Sequence, residues 1–332
     1  MSTTEENPFD LLVRRMTWEA DDVLSVELVS PDGKPLPDWA AGAHIDLYAG
    51  DQVRQYSLCG DPADTGAYRI AVLKSSDSRG GSAFVHERLR PGATVTVRGP
   101  RNHFALADAA SYVFLAGGIG VTPLLTQARE AHLRGKPWQL WYAGRSRASM
   151  AFGEELTALA AHGGTEAGTV TGSGTVELHP KDERGRMDLR QVLGRLPEGA
   201  HVYCCGPQAL MDGALEVCRE LGIADRLHVE RFSGAVAPAP EGGETSFEVE
   251  CVRSGRTVSV GPDESIVDVL DDAGIYVDAS CREGVCGTCE TGVLDGVPDH
   301  RDSLLSPAEQ EAGDVMMICV SRCASKRLVL DI

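Results

Sequence analysis

Missing first is any long apolar run: nowhere do about 18 consecutive apolar residues occur, so no segment is a candidate membrane-spanning helix. The opening MSTTEENPFD has neither the basic stretch nor the apolar core of a secretory leader, and a cytoplasmic protein is expected. Cationic residues are scarce. Lys and Arg number 31 against 49 Asp and Glu, and the resulting net charge of -18 argues against nucleic acid and anionic membrane as partners. There is no internal repeat, which removes the solenoids and propellers. A second C-x2-C pair is also missing, although there are ten cysteines, and a structural zinc site usually needs two such knuckles.

What the chain does have is Cys281-Arg282-Glu283-Gly284-Val285-Cys286-Gly287-Thr288-Cys289, followed by Cys319. Three thiols spaced C-x4-C-x2-C with a distant fourth form the plant-type ligand set for a two-iron, two-sulfur cluster. Gly284 and Gly287 let backbone N–H groups approach inorganic sulfide, which a zinc site does not need. A buried structural cysteine cluster does not fit a loop this polar and glycine-rich. Thiolates committed to iron fit a reducing compartment. Cys59, Cys204, Cys218 and Cys251 read as small core fillers. From Gly243 onward 7 Lys and Arg stand against 18 Asp and Glu, so most of the excess charge lies on the cysteine-bearing segment. Either this segment docks on a basic surface, or the charge serves solubility.

A length of 332 residues suggests two or three domains, and the composition is that of a soluble globular protein. In residues 1–105, runs such as VLSVELVS, AHIDLYAG, RQYSL, YRIAVLKS and TVTVRG alternate apolar and polar positions, with one clear helix at SAFVHERL. This block reads as an antiparallel β-barrel. In residues 106–232 the order becomes apolar strand, glycine turn and helix: YVFLA, GGIG, VTPLLTQAREAHL, QLWYAG, HVYCCGP, QALMDGALEVCRELG and LHVERF. That order predicts an α/β domain on a parallel sheet. Residues 233–245 are rich in Gly, Pro and Ala and read as a linker, either a pivot or a fixed spacer. The cysteine domain fills residues 246–332.

Gly117-Gly118-Ile119-Gly120-Val121-Thr122-Pro123 follows a predicted strand and opens a helix, with Thr122 expected as N-cap and Pro123 in the first turn. The helix dipole and free N–H groups there suit a dinucleotide pyrophosphate, though a glycine turn can be mere geometry. Cys205-Gly206-Pro207 ends another strand, where open α/β sheets bind ligands. In the first block, Arg79-Gly80-Gly81-Ser82 at a helix start offers a phosphate cradle. Tyr56 and Ser57, in Arg54-Gln55-Tyr56-Ser57-Leu58, suit contact with a flat ring. Taken singly, such a Tyr is usually core and such an Arg-Gly-Gly loop a solvated turn.

Together, the order R-x-Y-S-L, RGGS, AGGIGVTP, CGP and C-x4-C-x2-C resembles the phthalate dioxygenase reductase family, within the ferredoxin–NADP reductase superfamily, over nearly the whole chain. The resemblance implies an FMN-binding barrel, a pyridine-nucleotide domain and a plant-type ferredoxin domain of the α+β (β-grasp) class. By the same resemblance Arg54 contacts the FMN phosphate, Tyr56, Ser57 and Leu58 line the isoalloxazine, Lys74 lies near it, and Arg79, Gly80, Gly81 and Ser82 complete the phosphate site. Gly117, Gly118, Gly120 and Thr122 hold the nucleotide pyrophosphate, Cys205 sits near the nicotinamide and Phe232 near the flavin. Ser57 and Cys205 are then the catalytic pair, and Cys281, Cys286, Cys289 and Cys319 hold the cluster.

Cys323 departs from the family's usual Ala. Cys319 is expected as the fourth ligand because VMMICV is apolar and strand-like, placing it at the rim of the cluster loop. The implied activity is an NADH-dependent reductase feeding single electrons to a terminal oxygenase, a Rieske non-haem iron enzyme first and a cytochrome P450 as rival. A self-sufficient flavin or quinone reductase and a non-catalytic redox sensor are the alternatives. NADH is expected over NADPH, although Arg145-Ser146-Arg147 could hold a 2′-phosphate.

Overall fold

The structure, a computed structural model, describes residues 7–50, 52–75, 80–161, 165–166, 169–170, 172–234 and 243–332. Arg79 lies outside the described residues. The chain divides into two compact units, Met1–Glu230 and Arg231–Ile332.

The first unit opens with β1 (Phe9–Ala20), β2 (Val23–Val29), β3 (His44–Ala49), β4 (Gln52–Ser57), β5 (Ala67–Leu73), α1 (Gly81–Glu87) and β6 (Thr94–Arg101). These six strands form one antiparallel sheet in the order β4-β3-β6-β1-β2-β5. An antiparallel bridge between Leu58 and Ile70 joins the two outer strands, so the sheet closes on itself as a barrel. In β2, buried Val26 and Leu28 turn one face inward, where Leu11, Val13, Ile45, Leu47, Ile70 and Val97 complete the filling. The runs named from the sequence do not include β1. Its alternation holds through Leu11 and Val13 and then lapses, with two register breaks against β2, so no period-2 signal marks its second half.

After the barrel come β7 (Ser111–Gly117), α2 (Val121–Leu133), β8 (Trp138–Gly144), α3 (Gly153–Ala161), the short β9 (Thr165–Glu166) and β10 (Thr169–Val170), β11 (Gly174–Pro180), α4 (Lys181–Arg184), α5 (Leu189–Leu193), β12 (Ala200–Cys205), α6 (Gln208–Glu220) and β13 (Leu227–Glu230). The five main strands run parallel in the order β11-β8-β7-β12-β13. Every residue of β7 is buried, as a central parallel strand covered on both faces requires. The order reverses between β7 and β12. A doubly wound sheet leaves its ligand crevice at that switch point, and the loops of Gly117–Gly120 and Cys205–Pro207 both leave the sheet there.

The second unit holds β14 (Phe247–Cys251), β15 (Arg256–Val260), α7 (Ile266–Asp272), β16 (Glu290–Asp295), β17 (Pro298–Asp299), α8 (Pro307–Ala312), β18 (Val315–Met317), β19 (Arg322–Cys323) and β20 (Arg327–Leu330). Its five-stranded mixed sheet has the order β15-β14-β20-β16-β18. Ile266, Val267 and Leu270 of α7 join Phe247, Val249, Leu328 and Leu330 in one core. Ser265 caps α7 through the Asp268 N–H, at 3.1 Å. No helix among the described residues is long and apolar enough to cross a membrane.

Candidate functional site

At the barrel rim, β4 presents Arg54, whose guanidinium donates to the Val53 carbonyl (2.8 Å) and to Gln52 Oε1 (2.6 Å). The start of α1 lies directly on this side chain. A Cβ on Gly81 would stand 2.5 Å from Arg54 Cγ, so only glycine allows the approach. Gly80, at φ 114°, turns the chain into the helix, and Ser82 Oγ accepts the Ser75 N–H at 3.3 Å. Arg54, Gly80, Gly81 and Ser82 are therefore gathered at one place. Lys74 pairs with Glu87 across 3.1 Å. Burial pushes the Tyr56 phenol up to about 12, against a smaller pull from Arg54. Leu58 is fully buried in the barrel core, and its N–H donates to the Ala43 carbonyl.

Three polar side chains meet where the barrel and the parallel sheet adjoin. Ser57, at the end of β4, donates to Glu230 Oε2 at 3.5 Å, and Glu230 of β13 sits opposite Cys205 of β12 in register. Burial raises the Cys205 thiol well above its usual value, and the Glu230 and Cys204 charges add to this. Glu230 keeps part of its surface open, yet the surrounding protein pushes its carboxyl up to about 8 while Ser57 pulls the other way. Glu230 was not among the expected site residues. Its signal was faint: a single acid at the carboxyl end of LHVERF, level with Cys205.

The loops after β7 and β12 touch backbone to backbone. A Cβ on Gly120 would lie 2.3 Å from the Cys205 carbonyl oxygen, one on Gly117 2.5 Å from Pro207 Cδ, and one on Gly206 2.7 Å from Gly117 Cα. A Cβ on Gly118, at φ +54°, would meet nothing within 4 Å, so this residue faces open space. The expectation for Thr122 needs correction. The helix cap is Gly120, after a 3-10 turn at Gly118–Gly120, so Thr122 is already inside α2, buried, donating its hydroxyl to the Ile119 carbonyl at 2.9 Å. Arg147 donates through Nε to Glu183 (2.8 Å), while Arg145 is 77% exposed. Phe232 falls in the second unit and is 45% exposed.

In the second unit Cys286, Cys289 and Cys319 are buried and Cys281 partly so. The loop carrying them is shaped by neighbours. Arg282 adopts φ 53° and is held by ion pairs to Asp268 and, at 3.0 Å, Asp271 of α7. At φ +69°, Gly284 packs so closely that a Cβ would stand 2.6 Å from Val320. The Glu283 N–H donates to Cys281 Sγ (3.3 Å), and Thr288 Oγ1 lies 3.1 Å from Cys286 Sγ. Among the described residues no three His, Cys, Asp or Glu side chains close on a single-ion site. The four thiols are instead near enough to influence one another in a single row, Cys286 beside Cys281, Cys281 beside Cys319 and Cys319 beside Cys289. A two-iron cluster takes two thiolates per iron, a number that these four neighbouring thiols supply.

The Cys281 bond and burial raise the Cys286 thiol. Cys319, pulled down by Cys281 but pushed up by Cys289 and by burial, reaches about 12. Such crowding of groups that must ionise to bind metal is what cationic iron relieves. One expectation fails in detail: the strand stops at Met317, and Cys319 stands in the turn that follows. Cys323, on β19, directs its thiol to the Ser325 carbonyl at 3.1 Å.

Residues 114–216 match the oxidoreductase NAD-binding domain family, and residues 249–324 the 2Fe-2S iron-sulfur cluster binding domain family. The phenoxybenzoate dioxygenase subunit beta of Ectopseudomonas oleovorans is 43% identical over 328 residues, 98% of each chain. Among solved structures, phthalate dioxygenase reductase, described as a modular structure for electron transfer from pyridine nucleotides to [2Fe-2S], is 35% identical with a TM-score of 0.68, covering 98% of both chains. An intact type IV self-sufficient cytochrome P450 monooxygenase is 41% identical with a TM-score of 0.88 over 98% of this chain. Only 41% of that longer chain is covered.

Proposed function

The chain belongs to the phthalate dioxygenase reductase family, and from that premise we propose that it carries electrons from NADH, by way of FMN and a 2Fe-2S cluster, to a terminal oxygenase of the Rieske non-haem iron type. The observation that carries this reading is the gathering of Cys281, Cys286, Cys289 and Cys319 on the same chain as a parallel-sheet nucleotide domain. FMN, when bound, supplies the conversion between the two electrons of a hydride and the single electrons a cluster accepts.

The chain's own residues position and tune. Arg54 and the Gly80–Ser82 turn offer donors to a terminal phosphate, with Arg79 as the further cation implied by the family. Tyr56 shapes the ring's seat and packs against the barrel core that holds the fully buried Leu58, and Lys74 flanks the ring. Ser57 offers a hydroxyl whose proton can pass to or from Glu230, a carboxyl poised near neutrality. Cys205 and the tight Gly117–Gly120 turn exclude water where the nicotinamide would rest, and Gly118 leaves its backbone open to the pyrophosphate. Phe232 and Thr122 are family positions, and a buried Thr122 would act by shaping the turn. NADH is favoured over NADPH because Glu183 already holds the Arg147 Nε and places a carboxylate where a 2′-phosphate would approach that guanidinium.

Purified protein should release FMN on acid treatment, be bleached rapidly by NADH, and reduce cytochrome c. Stoichiometric FAD, or a tenfold preference for NADPH, would overturn the cofactor assignment. Failure to support turnover of a co-expressed Rieske oxygenase, with success for a P450, would reassign the partner.

A further inference from the structure

Within the first unit, one carboxylate ties the barrel to the parallel-sheet part. Glu155 lies in α3, and both of its oxygens accept from Arg69 Nη2 of β5, at 2.9 and 3.0 Å, while Oε1 also accepts from Arg129 Nη2 of α2 at 2.7 Å. Neither arginine stops at the carboxylate. Arg69 reaches the Cys59 carbonyl through Nη2 (2.6 Å) and Nε (3.1 Å), and Arg129 Nη1 reaches the Gly60 carbonyl at 2.5 Å. Cys59 and Gly60 follow closely on Ser57 at the end of β4. Phe152, just ahead of α3, lies under the Arg69 guanidinium, which stands 5.1 Å from the ring centroid. All three charged side chains are partly exposed, so their ion pairs add little to stability, and what they fix is geometry.

We propose that Glu155 is a positioning residue that sets the distance between the hydride-accepting side of the first unit, at Ser57, and the hydride-donating side, at the head of α2. The inference rests on the function proposed above. From Gly120 to Arg129 the helix is unbroken and rises about 13 Å, so whatever holds Arg129 also holds the glycine turn. Two guanidiniums within about 3 Å of one oxygen repel each other unless that oxygen carries charge. Without the charge, α2 and the segment after Ser57 lose their common anchor. Hydride passage needs donor and acceptor atoms roughly 3–3.5 Å apart, and a displacement of about 1 Å can cost about 100-fold. The glycine turn would move with α2 as a whole and keep its own N–H groups in place, so the contact governs rate and leaves affinity alone.

Glu155→Gln keeps the shape and one acceptor oxygen but loses the charge, and it tests this in the full-length holoprotein. Bleaching of the flavin by saturating NADH should slow about tenfold, while the Kd for NAD+, titrated at equilibrium without turnover, stays within about twofold of the parent. The long-wavelength charge-transfer absorption of the bound pair should weaken, and FMN content should not change. Arg129→Gln should slow bleaching to a similar extent, and the double variant should be no slower than the worse single one, because both break one linkage. Glu154→Gln, at the exposed neighbouring position, should match the parent. Single effects that multiply in the double variant, or a loss of NAD+ affinity equal to the loss of rate, would overturn the proposal. Failure of the parent to be bleached by NADH would sink the proposed function together with this role, whereas a bleached parent and an equally fast Glu155→Gln would sink this role alone.

Discussion

At the scale of single residues, Glu230 has the most direct consequence. Its carboxyl is raised from 4.5 to about 8, so between those values the folded protein holds a proton that the unfolded chain releases, and stability falls as pH rises through that window. Glu230→Gln removes the dependence. The urea midpoint of the parent should drop more than that of the variant between about pH 5 and about pH 9, and parallel drops would show a freely ionising carboxyl. A second residue-scale outcome concerns the cysteines. Cys319→Ala should abolish the cluster's visible absorption and cytochrome c reduction while flavin reduction by NADH survives, and Cys323→Ala should spare all three. A cluster lost only with Cys323 would reverse the ligand assignment. That the chain carries a 2Fe-2S domain was legible from cysteine spacing alone, because iron–sulfur coordination fixes loop lengths tightly. Glu230 was not, because its significance comes from Cys205 on the neighbouring strand and Ser57 in the barrel, far from it in sequence.

Among the elements, the entry to α2 shows why glycine turns are hard to read. In sequence all three glycines look like a phosphate cradle. In the fold Gly117 and Gly120 are needed because the loops after β7 and β12 press together, and Gly118 alone faces outward. Gly120→Ala should accordingly destabilise the first unit by about 1–3 kcal/mol through overpacking against the Cys205 carbonyl, and should weaken NADH binding with it. Gly118→Ala should leave packing alone, apart from the strain of a positive φ, and lower nucleotide affinity. Melting curves and NADH titrations of the two variants separate the roles, and an unaltered melting point for Gly120→Ala would contradict the packing argument. The alternating strands β2 to β6 and the buried run of β7 were readable because burial imposes their periods. The cap of α2 and the end of β18 were not: Gly120 replaced the polar cap that propensity favours, and a turn interrupted the apolar run at Met317.

On the scale of the whole molecule, charge is unevenly shared, with 18 acids against 7 cationic residues from Gly243 onward. Transfer to the oxygenase should therefore slow as salt screens a docking face of opposite charge, over distances beyond about 8 Å at physiological ionic strength. Flavin reduction by NADH should hardly change. A second-order transfer rate that stays constant from low to high salt would leave the acidic surface with a solubility role only. Closure of the barrel carries a different consequence. The Leu58–Ile70 bridge joins its two outer strands, whereas among the described residues β11 and β13, and likewise β15 and β18, end their own sheets as open borders. Should the protein misassemble on heating, strand addition would grow from those open borders, and the flavin-binding barrel is the large sheet least able to template its own aggregation.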